Sequence, residues 1–92
     1  MKQQEVFKYD IDYEKANKKA QEIAQELLKN YPGLKYQIVI RYDEGVFIKL
    51  YGDEELIRTI SNSMKKKELK LLIAGSPVYV IYGGSLYEAT PT

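Results

Sequence analysis

The chain is poor in the side chains that usually do chemistry. It contains no His and no Cys. The commonest general base and transition-metal ligand are therefore missing, and so is thiolate or disulfide chemistry. Its serines have no imidazole to activate them, and no spacing marks a Ser–Lys pair. Asp10, Asp12, Asp43, Glu44, Asp53, Glu54 and Glu55 fall at expected turns and helix starts. There carboxylates cap backbone amides and complement helix dipoles. None follows calcium-loop spacing, so no metal or cofactor is expected. Gly83-Gly84 lacks the Lys and the following helix of a phosphate-cradling loop. Lys65-Lys66-Lys67 with Lys70 is the densest positive run, and it fits a solvated helix face better than a phosphate site. An enzyme is not expected.

Recognition chemistry is better represented. Lys35, Arg41, Phe47, Lys49 and Tyr51 interleave cations with rings. Rings stack on bases while Lys and Arg neutralise phosphates, so this set suits single-stranded nucleic acid. The second set is Tyr79, Tyr82, Leu86 and Tyr87 near the C-terminus, in a chain with nine Tyr. Tyrosine buries much area at small entropic cost and is favoured where proteins touch.

The elements that hold these residues follow from periodicity. Residues 5–11 alternate, with Phe7, Tyr9 and Ile11 on one side, and predict a first strand. Asp12 is placed to cap a helix over Tyr13–Asn30. Ala16, Ala20, Ile23, Ala24, Leu27 and Leu28 form its apolar stripe, and Tyr31-Pro32-Gly33 ends it. Residues 34–42 and 46–51 alternate again. Asp43-Glu44-Gly45 predicts a three-residue hairpin loop with Gly45 in the left-handed position. The expected pairs are Tyr42 with Val46, Ile40 with Ile48 and Ile38 with Leu50 on the core side. On the other side Arg41 meets Phe47, Val39 meets Lys49 and Gln37 meets Tyr51. Asp53 caps a second helix, whose inward stripe is Leu56, Ile57, Ile60 and Met64. Ser61-Asn62-Ser63 are weak helix formers and mark a break. Residues 69–74 are read as helix, since Gly75 and Pro77 supply a stop, with a strand as the alternative because Leu69, Leu71 and Ile73 alternate with Lys70 and Leu72. Val78–Tyr82, a Gly83-Gly84 turn and Ser85–Thr90 predict a terminal hairpin, with its last strand at an open sheet edge.

The order β-α-β-β-α-β, with one more short strand, resembles the ferredoxin-like arrangement. It implies an α+β, two-layer sandwich: an antiparallel sheet with two helices on one face. RNA-recognition-motif proteins use the open face of such a sheet, and Gly45–Tyr51 loosely resembles their third strand. Aligned on Gly45, the exposed aromatic slots fall on Val46 and Ile48, which face the core. Aligned on Phe47, the second slot holds Lys49. Neither frame supplies the pair of rings, and the fold alone carries no function.

Composition sets the remaining bounds. Ninety-two residues make one domain, and Lys+Arg 14 against Asp+Glu 13 leave a net charge of +1. No global field steers the chain toward nucleic acid or an anionic membrane. No apolar run is long enough to span a bilayer, and Met1–Glu5 lacks a signal-peptide core, so a cytoplasmic location is expected. Scarce Arg, abundant Lys, Ile and Tyr and absent Cys suit a thermophile or its virus, or a designed scaffold without natural function. The leading expectation is a non-catalytic module acting through protein contacts, with itself as homodimer. Nucleic-acid binding is the alternative.

Overall fold

A computed structural model describes residues 10–89. Helix α1 spans Tyr13–Asn30, followed by strands β1 (Lys35–Arg41) and β2 (Gly45–Tyr51). Helices α2 (Glu54–Ser63) and α3 (Lys65–Ile73) lead to strand β3 (Val78–Gly84) and a 3-10 turn at Leu86–Glu88. The class is α+β, with three α-helices and a three-stranded mixed sheet in the order β1-β2-β3.

The helices start where short acidic side chains satisfy free amides. The Lys15 N–H donates to Asp12 at 3.0 Å and the Leu56 N–H to Asp53 at 2.9 Å. The α1 stripe packs as its spacing predicts. Ala16, Ala20, Ile23, Ala24 and Leu27 are buried, while Leu28 is half-buried. They join Val46, Ile48 and Leu50 of β2, Ile57 and Ile60 of α2, and Val78 and Val80 of β3 in one core. Full burial of each Ile or Leu contributes about 1.5–3 kcal/mol. The chain breaks at Met64, after the Ser-Asn-Ser stretch, and 65–73 is helical as expected.

Three expectations change. The β1–β2 pair is antiparallel, but β2–β3 is parallel. The chain leaves β2 and returns through α2 and α3, and a helical crossover brings the next strand back in the same direction. The sheet is therefore not antiparallel throughout. The first strand predicted at 5–11 lies outside the described residues except Asp10 and Ile11, which are not in a strand.

The β1–β2 register is shifted by two residues. Arg41 pairs with Gly45, Ile40 with Val46, Val39 with Phe47, Ile38 with Ile48 and Gln37 with Lys49. The loop is Tyr42-Asp43-Glu44, closed by a 3.2 Å bond from the Glu44 N–H to the Arg41 carbonyl. Asp43 takes the left-handed φ of 68°, and its N–H donates to the Tyr13 hydroxyl at 2.6 Å. Gly45, at φ 136°, sits where a Cβ would lie 2.8 Å from the Pro77 carbonyl oxygen. A two-residue shift leaves every side chain on its predicted face.

The terminal hairpin is absent among the described residues as well. Gly83-Gly84 continues β3 instead of turning, and Leu86–Glu88 coils into the 3-10 turn. The Ser85 N–H donates to the Glu88 carboxylate at 2.6 Å, closing that turn. The predicted strand partner Thr90 is outside the described residues.

Candidate functional site

Because alternate residues of a strand face opposite ways, the sheet has two distinct surfaces. Tyr36, Ile38, Val46, Ile48, Leu50, Val78, Val80 and Tyr82 lie on the helix side. The other face is not covered by any described helix. Across its strands it carries Arg41 beside Gly45; then Val39, Phe47 and Tyr79; then Gln37, Lys49 and Ile81; then Lys35 and Tyr51. Lys35, Arg41, Phe47, Lys49 and Tyr51 are thus brought together on one face, as their spacing predicts.

An aromatic cluster occupies the turn end of this face. The rings of Phe47 and Tyr79 have centroids 5.1 Å apart and are inclined by 34°. The Arg41 guanidinium lies 4.6 Å from the centre of the Phe47 ring, within cation–π range. Its Nη1 is 3.9 Å from the Glu44 carboxylate. Beside the cluster is an open groove of about 380 Å³ lined by Phe47, Tyr79, Leu72, Asp43 and Glu44. Its lining combines three apolar or aromatic residues with two acidic ones.

Tyr51 behaves differently from the rest of its set. It is only 5% exposed although it lies on the open face. A Cβ at Gly83 would come within 2.8 Å of its ring, so the missing side chain lets the ring lie against β3. The Tyr51 hydroxyl donates to Gln37 at 3.0 Å. Tied at both ends, the ring is part of the sheet surface and not a free stacking platform.

The second predicted set is divided. Tyr79 belongs to the open face, but Tyr82 packs on the helix side, where the Arg58 guanidinium lies 5.7 Å from its ring centre. Tyr79 and Tyr82 are three positions apart, an odd offset, so a continuous strand must part them. Leu86 and Tyr87 sit in the 3-10 turn, and Tyr87 is 99% exposed. Ile81 was not among the predicted residues. Its signal is the same period of two that carries Tyr79.

The edge of β3 is closed at its centre. The Val80 N–H donates to Glu68 Oε2 at 2.9 Å, and the Ser61 hydroxyl donates to the Val80 carbonyl at 2.8 Å. Both groups of a strand residue point to the same side, here away from β2. Side chains from α2 and α3 therefore take the place of a pairing strand. The expected open edge at the last strand is replaced by a plugged one. Glu68, buried within a Lys-rich helix, left no sequence signal for this role.

Among the described residues no group of three or more His, Cys, Asp or Glu is placed to hold a metal ion. No described helix is long and apolar enough to cross a membrane. No family model, curated protein or solved structure matches the chain.

Proposed function

We propose that the chain is a non-catalytic module acting through protein contacts on its open sheet face, with a second copy of itself as the partner. The observation that carries this is the Arg41–Phe47–Tyr79 cluster, which stands on the one sheet surface that no described helix covers. Val39 and Ile81 extend it as half-buried apolar groups. Aromatic and Arg side chains of this kind anchor protein interfaces. The plugged β3 edge removes one of the two sheet edges from strand pairing. The ferredoxin-like plan enters only as a sheet with one covered and one open side.

Single-stranded nucleic acid is the weaker fit. Arg41 already occupies one side of the Phe47 ring, Tyr51 is immobilised, and Asp43 and Glu44 set negative charge beside the rings. Phosphates would meet that charge at the point where bases should stack.

Amide chemical shifts followed by NMR from micromolar to millimolar protein test the proposal. Expected are concentration-dependent shifts confined to Val39, Phe47, Lys49, Tyr79, Ile81 and their strand neighbours. Shifts on the outer face of α1, or none at any concentration, would overturn it.

A further inference from the structure

We propose that the free edge of β1 pairs antiparallel with β1 of a second copy, joining two three-stranded sheets edge to edge. This contact lies beside the open face and leaves it accessible, so it goes beyond the face contact proposed above. The two outer strands, β1 and β3, differ. On β3 the Ser61 hydroxyl and the Glu68 carboxylate satisfy both backbone groups of Val80. On β1 the direction of the backbone groups follows from β2. The Val46 N–H donates to the Pro77 carbonyl at 3.1 Å, so Val46 turns its backbone groups toward β3. In a strand these groups alternate from side to side. Val46, Ile48 and Leu50 therefore bond toward β3, while Phe47, Lys49 and Tyr51 bond toward Val39, Gln37 and Lys35 of β1. Tyr36, Ile38 and Ile40 are left with N–H and C=O groups aimed out of the sheet. Among the described residues no side chain or loop bonds them.

Such a row of outward donors and acceptors is satisfied by another extended strand. Nothing on β1 blocks one. The strand has no Pro, and its only charges, Lys35 and Arg41, stand at its ends. Ile40 is 47% exposed and Tyr42 81%, so α1 does not overhang the edge near the turn. Both side chains lie on the helix side of the sheet, where a neighbouring strand would cover them.

Identical chains close into a pair about a two-fold axis, which here stands perpendicular to the sheet. Its position sets the register. Centred on Ile38, it puts Lys35 directly opposite the partner's Arg41, and like charges facing each other are destabilising. Centred on Gln37, it leaves Ile40 and Tyr42 beyond the paired rows. Centred on Val39, it puts Arg41 opposite the partner's Gln37 and carries Lys35 toward the partner's Asp43. Neither Lys35 nor Asp43 has an ion-pair partner among the described residues. The same register lays Ile40 against the partner's Ile38 and Tyr42 against the partner's Tyr36, which covers the exposed groups. Ile38 and Ile40 then exchange both N–H···O bonds across the seam. Val39 meets the partner's Val39 at the axis as a non-hydrogen-bonded pair, with Cα atoms about 4.5 Å apart.

The chain has no Cys, so a single introduced thiol reports its own neighbour. Val39→Cys should cross-link into a dimer on mild oxidation, because the Cα separation is within the span of a disulfide. Gln37→Cys should not, because its two copies stand four residues of strand apart, roughly 14 Å. In the native chain, hydrogen exchange at the Ile38 and Ile40 amides should slow as the concentration rises to millimolar. Ile40→Pro removes an outward N–H that β2 does not use, twice per dimer. At about fivefold per bond, the dissociation constant from sedimentation equilibrium should rise roughly 25-fold. Ile40→Lys keeps the backbone intact and should also weaken association, which covers the case in which the Pro variant does not fold. Cross-linking through Gln37→Cys instead of Val39→Cys would overturn the register. Shifts confined to Phe47, Tyr79 and Ile81, with no added protection at Ile38 and Ile40, would overturn the edge pairing and leave the open-face contact standing. Protection at Ile38 and Ile40 without shifts at Phe47, Tyr79 and Ile81 would support the edge pairing and overturn the face contact. A native chain that stays monomeric at millimolar concentration would overturn both.

Discussion

Replacing Glu68 with Ala probes the device that closes the β3 edge of the sheet. The Glu68 carboxylate is buried and accepts the Val80 N–H at 2.9 Å. Val80 is itself only 1% exposed, so water cannot replace the lost acceptor without local opening. Leaving a buried amide unsatisfied costs about 1–3 kcal/mol. The Lys65 ammonium is 3.8 Å from Glu68 and mostly exposed, and such a pair adds little. A central figure of about 2 kcal/mol lowers Tm by roughly 8–16 °C in a domain of this size. Glu68→Gln retains a carbonyl acceptor and the aliphatic stem, so most of the stability should survive. The assay is thermal unfolding of both variants, with hydrogen exchange at the Val80 amide. Exchange there should accelerate in Glu68→Ala ahead of that at Ile48 in the core. The Ala variant should also gain a concentration-dependent, open-ended association, because an unblocked edge templates further strands. Native-like stability and Val80 protection in Glu68→Ala, or equal damage from Gln, would refute the plugged edge.

Three further outcomes follow from individual contacts. Gly83→Val places a Cβ 2.8 Å from the Tyr51 ring; the ring must leave its seat, destabilising by about 1–3 kcal/mol and breaking the bond to Gln37, visible as a changed Tyr51 environment by NMR. Gly45→Val meets the Pro77 carbonyl and an unfavourable φ, and chemical denaturation should show a loss of at least about 1–2 kcal/mol; an unchanged midpoint would contradict the close passage of β2 and Pro77. Mixed single-stranded oligonucleotides at low salt should show no binding in fluorescence anisotropy. Binding that weakens steeply with salt and with Phe47→Ala would instead favour nucleic acid.

The local structure was legible because it depends on neighbours in sequence. Asp12 and the Ala16–Leu27 stripe define α1, since capping and amphipathic burial act within a few turns. The faces of β1 and β2 follow from a period of two, and they survive a register error because that error is even. Lys35, Arg41, Phe47, Lys49 and Tyr51 therefore share a surface whichever pairing holds. What tertiary structure decided is long-range. The direction of β3 depends on where the α2–α3 crossover delivers the chain, and no residue within β3 encodes it. Gly83-Gly84 carries the composition of a turn, but its missing side chains serve the Tyr51 ring and the folded-back Glu88 carboxylate. At the hairpin turn the Asp43 N–H donates to the hydroxyl of Tyr13, thirty positions away, a contact that no local pattern encodes. Glu68 and Ser61 reach the Val80 edge only because two helices pack beside it. Composition names the side chains that must be buried or capped; only the packed chain determines which distant backbone each one meets.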